Sequence, residues 1–382
     1  MSHTADPVTH TPPLRTRPAR PLTIGIDARA AVEVPAGRGR VVRELLRALA
    51  ARDDAHTYRC YARTSWDEPL DERFEWCEIE ARDPLWHVHT ARTAQRECDV
   101  FLSSNSYLTP LFTRLPVVVI VYDLVTFDAA MQPNRRSAVI ERLTLGACMR
   151  RTAGVIAISQ ATADALTGRF PAAAARTSIA LLGTSPMLSK PAPDELLPEP
   201  GFVLAVGTLE PRKNLPRLVE AYRALDAAMQ SRHPLVVVGA LGWQTGETLD
   251  SLRSLGGRAK MLGHISDASL AELYRRCAVF CYPSLAEGFG LPVLEAMAAG
   301  AAVLTSNVSS LPEVGGGAVE YADPRDVASI AAALKGMLDS PQRRSELGAL
   351  ALERARQFTW SRFAESTLGV LERAAEQSAS RY

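Results

Sequence analysis

The sequence predicts an α/β protein of two doubly wound domains, each a parallel β-sheet covered by helices on both faces. Three observations predict it. Short β-branched runs alternate with longer helical patterns: LTIGID, DVFLSS, PVVVIVYD and GVIAIS in the first half, then FVLAVG, PLVVVG, AKMLGH, AVFCYPS and AAVLTSN in the second. Continuous apolar strands followed by helices belong to parallel sheets buried on both faces. The rhythm breaks once, over 184–200, where TSPMLSKPAPDELLPEP carries five prolines and few strand formers and reads as a linker. The chain of 382 residues is 47% hydrophobic and 22% charged, enough apolar material for two sizeable cores.

Taken in order, residues 1–21 are expected to be a disordered tail. The stretch MSHTADPVTHTPPLRTRPAR is rich in Pro, Thr and Arg and lacks the apolar centre of a secretory signal. Residues 22–190 form the first domain, 191–360 the second, and 361–382 a closing helix. In that last segment Trp360, Phe363, Leu368 and Leu371 recur at helical spacing, which predicts an amphipathic helix. No apolar run approaches the ~18–20 residues that span a bilayer, so a soluble, cytoplasmic protein is expected. The net charge of +1 points away from nucleic acid and from strongly acidic partners. Six cysteines are scattered without a C-x-x-C pair and read as reduced core thiols. Of the seven histidines only His87 and His89 stand close, on one face if they lie on a strand, and with no Cys/Asp cluster nearby no metal site is expected.

The chemistry concentrates in EGFGLPVLE, Glu287 to Glu295. Pro292 suits a first helical position, so a helix is expected over 292–300, with Gly288 and Gly290 letting the backbone before it turn tightly. The N–H groups of Phe289 to Val293 then point out of a helix start, which favours an anion by about 0.3–2 kcal/mol. A carboxylate is repelled by a bound anion, so Glu287 and Glu295 are read as acceptors for hydroxyls of a sugar or a ribose. In open α/β sheets ligands bind beyond the carboxyl ends of the strands, so two such sheets facing one another place a ligand in the cleft between them.

The blocks VGTLEPRKNLPRLVEAY, LGHISDASLAELYRRCAVFCYPSLAEGFGLPVLEAMAAG and TSNVSSLPEV occur in the order that marks the second half of the family-four glycosyltransferases. The chain resembles that family over about 201–367, and more weakly through IGIDARA and GRGRVVRELLRALA. The resemblance implies the GT-B fold, two Rossmann-like domains across a cleft with the last helix returning to the first, and metal-free transfer of a hexose of mannose or glucose type with retention. It implies a nucleotide-diphosphate sugar donor, GDP- or UDP-linked, no further cofactor, and a glycan or lipid-linked acceptor in surface polysaccharide synthesis. It also implies roles. Glu287 holds donor-sugar hydroxyls and Glu295 the ribose diol. The amides around Phe289, Gly290 and Leu291 hold the diphosphate with Arg212 and Lys213, and the backbone near His264 and Ile265 brackets the base. Gly37 and Gly39 lie beside the donor phosphate and acceptor. Two positions depart from the family: Thr208 stands where many relatives carry arginine, so phosphate binding leans on Arg212 and Lys213. Tyr122 followed by Asp123 stands where relatives commonly have histidine; the phenol can hydrogen-bond a sugar oxygen but is no base at neutral pH, and Asp123 is the catalytic candidate there.

Other readings compete. A glycosidase dyad needs two carboxyl groups ~5–9.5 Å apart and no phosphate cradle. A GT-B sugar-nucleotide epimerase needs an acid/base cluster, and a silent sugar-nucleotide-binding subunit needs no chemistry at all. The arginines of GRVVRELLRALAAR and RRSAVIERLTLGACMRR read as solvated helix faces, with peripheral contact at the inner membrane face as the sharper alternative.

Overall fold

The computed structural model describes residues 20–35, 37–128, 135–184, 197–243 and 245–380. The expected tail thus lies outside the described residues except for Arg20 and Pro21, and the expected linker except for 184 and 197–200. Arg20 pairs with Asp99 at 2.5 Å. Two compact units form: 20–183 with 359–380, and 184–358.

The first unit holds seven parallel strands: β1 (Thr23–Asp27), β2 (Thr57–Ala62), β3 (Phe74–Glu78), β4 (Val100–Ser103), β5 (Val117–Val121), β6 (Gly154–Ala157) and β7 (Thr177–Ile179). They are ordered β3-β2-β1-β4-β5-β6-β7. The second unit holds six: β8 (Val203–Val206), β9 (Leu235–Val238), β10 (Ala259–Gly263), β11 (Val279–Tyr282), β12 (Val303–Ser306) and β13 (Glu320–Ala322), ordered β10-β9-β8-β11-β12-β13. Each sheet grows outward from its first strand in both directions. The order therefore reverses between β1 and β4, and again between β8 and β11, and at such a reversal the loops diverge and leave a crevice beyond the carboxyl ends. Strands β5, β6, β8, β9 and β11 are apolar and almost wholly buried, as helices on both faces require, and β12 is buried with Thr305 and Ser306 at its end.

Every apolar run read as a strand is one. Strands β2, β3, β7 and β13 were not anticipated, because they are short or carry polar residues: Arg59 on β2 sits opposite Glu75 on β3 and pairs with it at 2.8 Å. His87 and His89 lie on the helix Leu85–Glu97 and not on a strand, so they do not share a face. His87 is buried against Thr109 at 2.9 Å, and burial beside Arg29 lowers its pKa to about 4. All six cysteines are free thiols, three of them fully buried.

The last helix, Trp360–Ala379, begins one residue earlier than expected and belongs to the first unit. Thr359 caps it by accepting from the Arg362 N–H at 3.3 Å. Its apolar stripe, with Trp360, Phe363, Leu368 and Leu371 between 0% and 7% exposed, packs on the helix Arg38–Ala50 and on β4, β5 and β6. At Gly154 a side chain is excluded, since a Cβ there would stand 2.8 Å from Val370 Cγ1. The helix is part of the first core.

Candidate active site

In the second unit the loops after β8 and β11, the two strands flanking the reversal, are stitched together. Asn214 closes the turn Pro211–Lys213 in a left-handed conformation, φ +60°, and is buried. Its Nδ2 donates to the carbonyls of Pro283 at 2.9 Å and Pro324 at 2.6 Å, while the Leu285 N–H donates to the Arg212 carbonyl at 2.9 Å. These bonds bring residues 210–213 against residues 282–287.

Glu287 is the centre of what they assemble. Its Oε2 accepts from Arg212 Nη1 at 2.5 Å, and its Oε1 accepts from Lys213 Nζ at 2.7 Å and from the Tyr282 hydroxyl at 2.8 Å. Lys213 also donates to the Tyr282 hydroxyl, and Arg212 Nη2 reaches Glu210 at 2.5 Å. The side chains of Glu287 and Lys213 are only 8% and 12% exposed. Burial alone would raise the Glu287 carboxyl, but the charges of Lys213 and Arg212 outweigh it and hold the group at about 2. Burial pushes Lys213 down, opposed by Glu287, and pushes Tyr282 far up. Glu287 is thus a permanent acceptor at neutral pH and not a proton donor, which removes it as the acid of a glycosidase pair, whose pKa has to be raised. Ser309, with φ +61°, accepts from the Glu287 N–H at 3.1 Å, and the hydroxyls of Ser309 and Ser310 both donate to its carbonyl, at 2.5 and 3.0 Å. The TSNVSSLPEV block therefore locks the backbone of the residue that carries the charge cluster.

The helix beyond runs over Leu291–Ala298, with Pro292 second and not first, and ends two residues before the expected Gly300. Gly290 caps it at φ +100°, where a Cβ would strike Leu311 Cδ2 at 2.7 Å. Phe289 turns its ring inward onto Phe358, 6.0 Å between centroids, so only its backbone is offered to a ligand. Leu291 is half-buried. Glu295, one turn in, is buried and accepts from the Tyr274 hydroxyl at 3.3 Å. Thr208 follows β8 and is exposed; His264 and Ile265 follow β10, the histidine exposed and the isoleucine half-buried. All of these leave the carboxyl edge of one sheet.

Asp123, Gly37 and Gly39 belong to the first unit. Asp123 leaves the carboxyl end of β5 and accepts from the Val125 N–H at 3.1 Å. The Tyr122 hydroxyl beside it is buried with no hydrogen-bond partner among the described residues, and the Arg38 guanidinium lies 5.4 Å over its ring. Gly37, at φ +56°, precedes the helix that opens with Arg38. At Gly39 a Cβ would fall 1.7 Å from the Val34 carbonyl oxygen, so this glycine is required by packing within its own unit. Sequence reasoning missed Arg38, Glu210, Asn214 and Tyr282; only Asn214, between a basic turn and a helix start, carried a local signal.

Residues 190–354 match the family model described as glycosyl transferases group 1. The second unit belongs to that family, of the family-four type. The chain is 42% identical over 171 residues to O-antigen chain mannosyltransferase B of Escherichia coli, covering 44% of this chain and 45% of that one. The chain spans less than half the length of these curated Escherichia coli relatives, 45% of mannosyltransferase B and 22% of the serotype-specific mannosyltransferase WbdA. Its fold is GT-B. Sucrose-phosphate synthase from Thermosynechococcus elongatus superposes with a TM-score of 0.70 at 21% identity over 95% of this chain and all of that one. HepE of Anabaena, solved in complex with UDP and glucose, superposes at 0.66 and 17% identity over 94% of this chain and all of that one.

Proposed function

We propose that this chain is a retaining, metal-independent hexosyltransferase that uses a nucleotide-diphosphate sugar, mannose-type on the name of its Escherichia coli relative, in surface polysaccharide synthesis. The observation that carries the reading is the buried Glu287 carboxylate held between Arg212 and Lys213 at the reversal of the second sheet. A donor diphosphate takes over the two cations and the helix start at Phe289, Gly290 and Leu291, at about 1.5–3 kcal/mol per charged hydrogen bond. Glu287, released from the cations in part, accepts from sugar hydroxyls, Glu295 accepts from the ribose diol, and the backbone at His264 and Ile265 brackets the base beyond Thr208. The acceptor hydroxyl attacks the anomeric carbon on the face that the diphosphate leaves, and Asp123, Gly37 and Gly39 are the residues assigned to the acceptor. The leaving phosphate oxygen takes its proton, so no protein nucleophile is needed. The protein contributes orientation and electrostatic stabilisation of the departing diphosphate. The epimerase alternative gets no proton donor from Glu287.

Glu287→Ala tests it: transfer should be lost while calorimetric affinity for free GDP or UDP is unchanged or tighter, since an internal competitor for Arg212 and Lys213 is gone. Glu295→Ala should weaken the free nucleotide itself, and EDTA should leave transfer untouched. A Glu287→Ala variant that loses nucleoside diphosphate as severely as donor sinks the assignment.

No helix among the described residues is long and apolar enough to cross a membrane. Peripheral contact with lipid belongs to the proposal because Ile140 and Leu143, on the helix Arg135–Cys148, are 59% and 69% exposed. Flotation on phosphatidylglycerol vesicles should fall with Ile140→Ser/Leu143→Ser; unchanged flotation, or none at the outset, removes this contact.

A further inference from the structure

A groove of about 490 Å³ opens in the first unit at the amino ends of β5, β6 and β7, beside the last helix. Arg114, Arg150, Arg151, Arg176 and Arg373 line it, and no carboxylate does. Several arginines elsewhere in the same unit are matched by acids: Arg47 with Glu44 and Glu68, Arg63 with Glu33 and Asp83, Arg73 with Asp54 and Asp71. The groove arginines have no such partner among the described residues. Arg151 donates to the Leu111 carbonyl at 2.7 Å, Arg176 to the Met149 carbonyl at 2.5 Å and Arg373 to Ser178 Oγ at 3.4 Å. The Nε of Arg176 is buried without any partner.

Five guanidiniums cannot relieve their mutual repulsion by losing protons, because arginine stays charged at any physiological pH. Gathered in a concave, polar site without acids, they match the geometry and charge of phosphate oxygens, which accept two N–H groups from one guanidinium. The groove also stands apart from Asp123 and Tyr122. Those residues follow the carboxyl end of the five-residue β5, whereas Pro116 and Arg114 precede its amino end, a strand length of roughly 16 Å away.

We propose that this groove is a second anion site, which takes a phosphate- or diphosphate-bearing ligand independently of the sugar-donor chemistry of the second unit. Hydrogen exchange of the full chain with inorganic pyrophosphate tests it. Protection is expected over 111–117, 149–155 and 370–379. In Arg150→Ser/Arg373→Ser, two exposed residues that hold no acid, the half-saturating concentration should rise about tenfold or more. Arg253→Ser, an exposed arginine of the second unit, should change nothing there. Protection of the same segments by phosphatidylglycerol vesicles and not by pyrophosphate would keep the site and identify its phosphate as a lipid headgroup's. No protection from either probe, or a double variant that responds like the parent, overturns it. Segments 207–214 and 287–295 report the donor site separately, so either reading can fail alone.

Discussion

At Glu287 two cations and a phenol converge on one carboxylate that water barely reaches. The folded state keeps this carboxyl at about 2 against an ordinary 4.5. A depressed carboxyl contributes stability that is fully present above about pH 4.5 and is lost as pH falls through about 2. The difference corresponds to on the order of 3 kcal/mol. Thermal unfolding of the parent should therefore steepen with acid between pH 4.5 and 2, and Glu287→Gln should flatten that dependence while lowering stability at neutral pH, because it leaves buried cations without their acid. Equal slopes in the two proteins would mean that the carboxylate is not held as described. Glu287, Arg212 and Lys213 were each legible in the sequence as site residues, through a glycine-rich turn, a helix start and cations that oppose a helix dipole. Their contact with one another was not. Nothing in a separation of over seventy residues says which acid a cation meets, and Tyr282 ends a strand whose other members are plain core, so its hydroxyl carried no signal.

At the scale of elements, the two sheets could be read because a strand buried on both faces must be continuously apolar, as β5 and β9 are, although the edge strand β10 carries the exposed Lys260 and Met261. Strands β2 and β3 escaped because the charged Arg59 and Glu75, paired across them, interrupt their apolar runs. The final helix was legible from its stripe, but its energetic place was not. It supplies core to the first unit, so its loss acts on folding before it acts on any motion between domains. Leu371→Ala, at a site with no exposure, should cost about 2–5 kcal/mol in chemical denaturation of the first unit. Affinity for free nucleotide, which the proposal assigns to the second unit, should remain within error; a nucleotide affinity that falls with Leu371→Ala would contradict that assignment.

For the whole molecule, each unit has a core and a reversal crevice of its own. Donor-side ligands should act on one of them. GDP or UDP at a hundred times its dissociation constant adds ~2.7 kcal/mol to the unit that binds it. Followed by hydrogen exchange, the slowing should cover β8 to β13 and leave β1 to β7 unchanged, and uniform slowing across both sheets would refute the assignment of the nucleotide to the second unit. The one anion that should slow the first unit alone is the occupant of its arginine groove.

The route of the chain has a consequence for how the protein is made. The first unit is split, with residues 359–380 synthesised only after the whole of 184–358 has emerged. On the ribosome the second unit can close over its own core while the first waits, its sheet uncovered along the surface that the helix Trp360–Ala379 will take. For that interval the nascent chain displays the apolar flank of β4, β5 and β6 to chaperones. A ribosome that stops before Trp360 releases a product whose second unit can be sound and whose first unit is open to proteolysis.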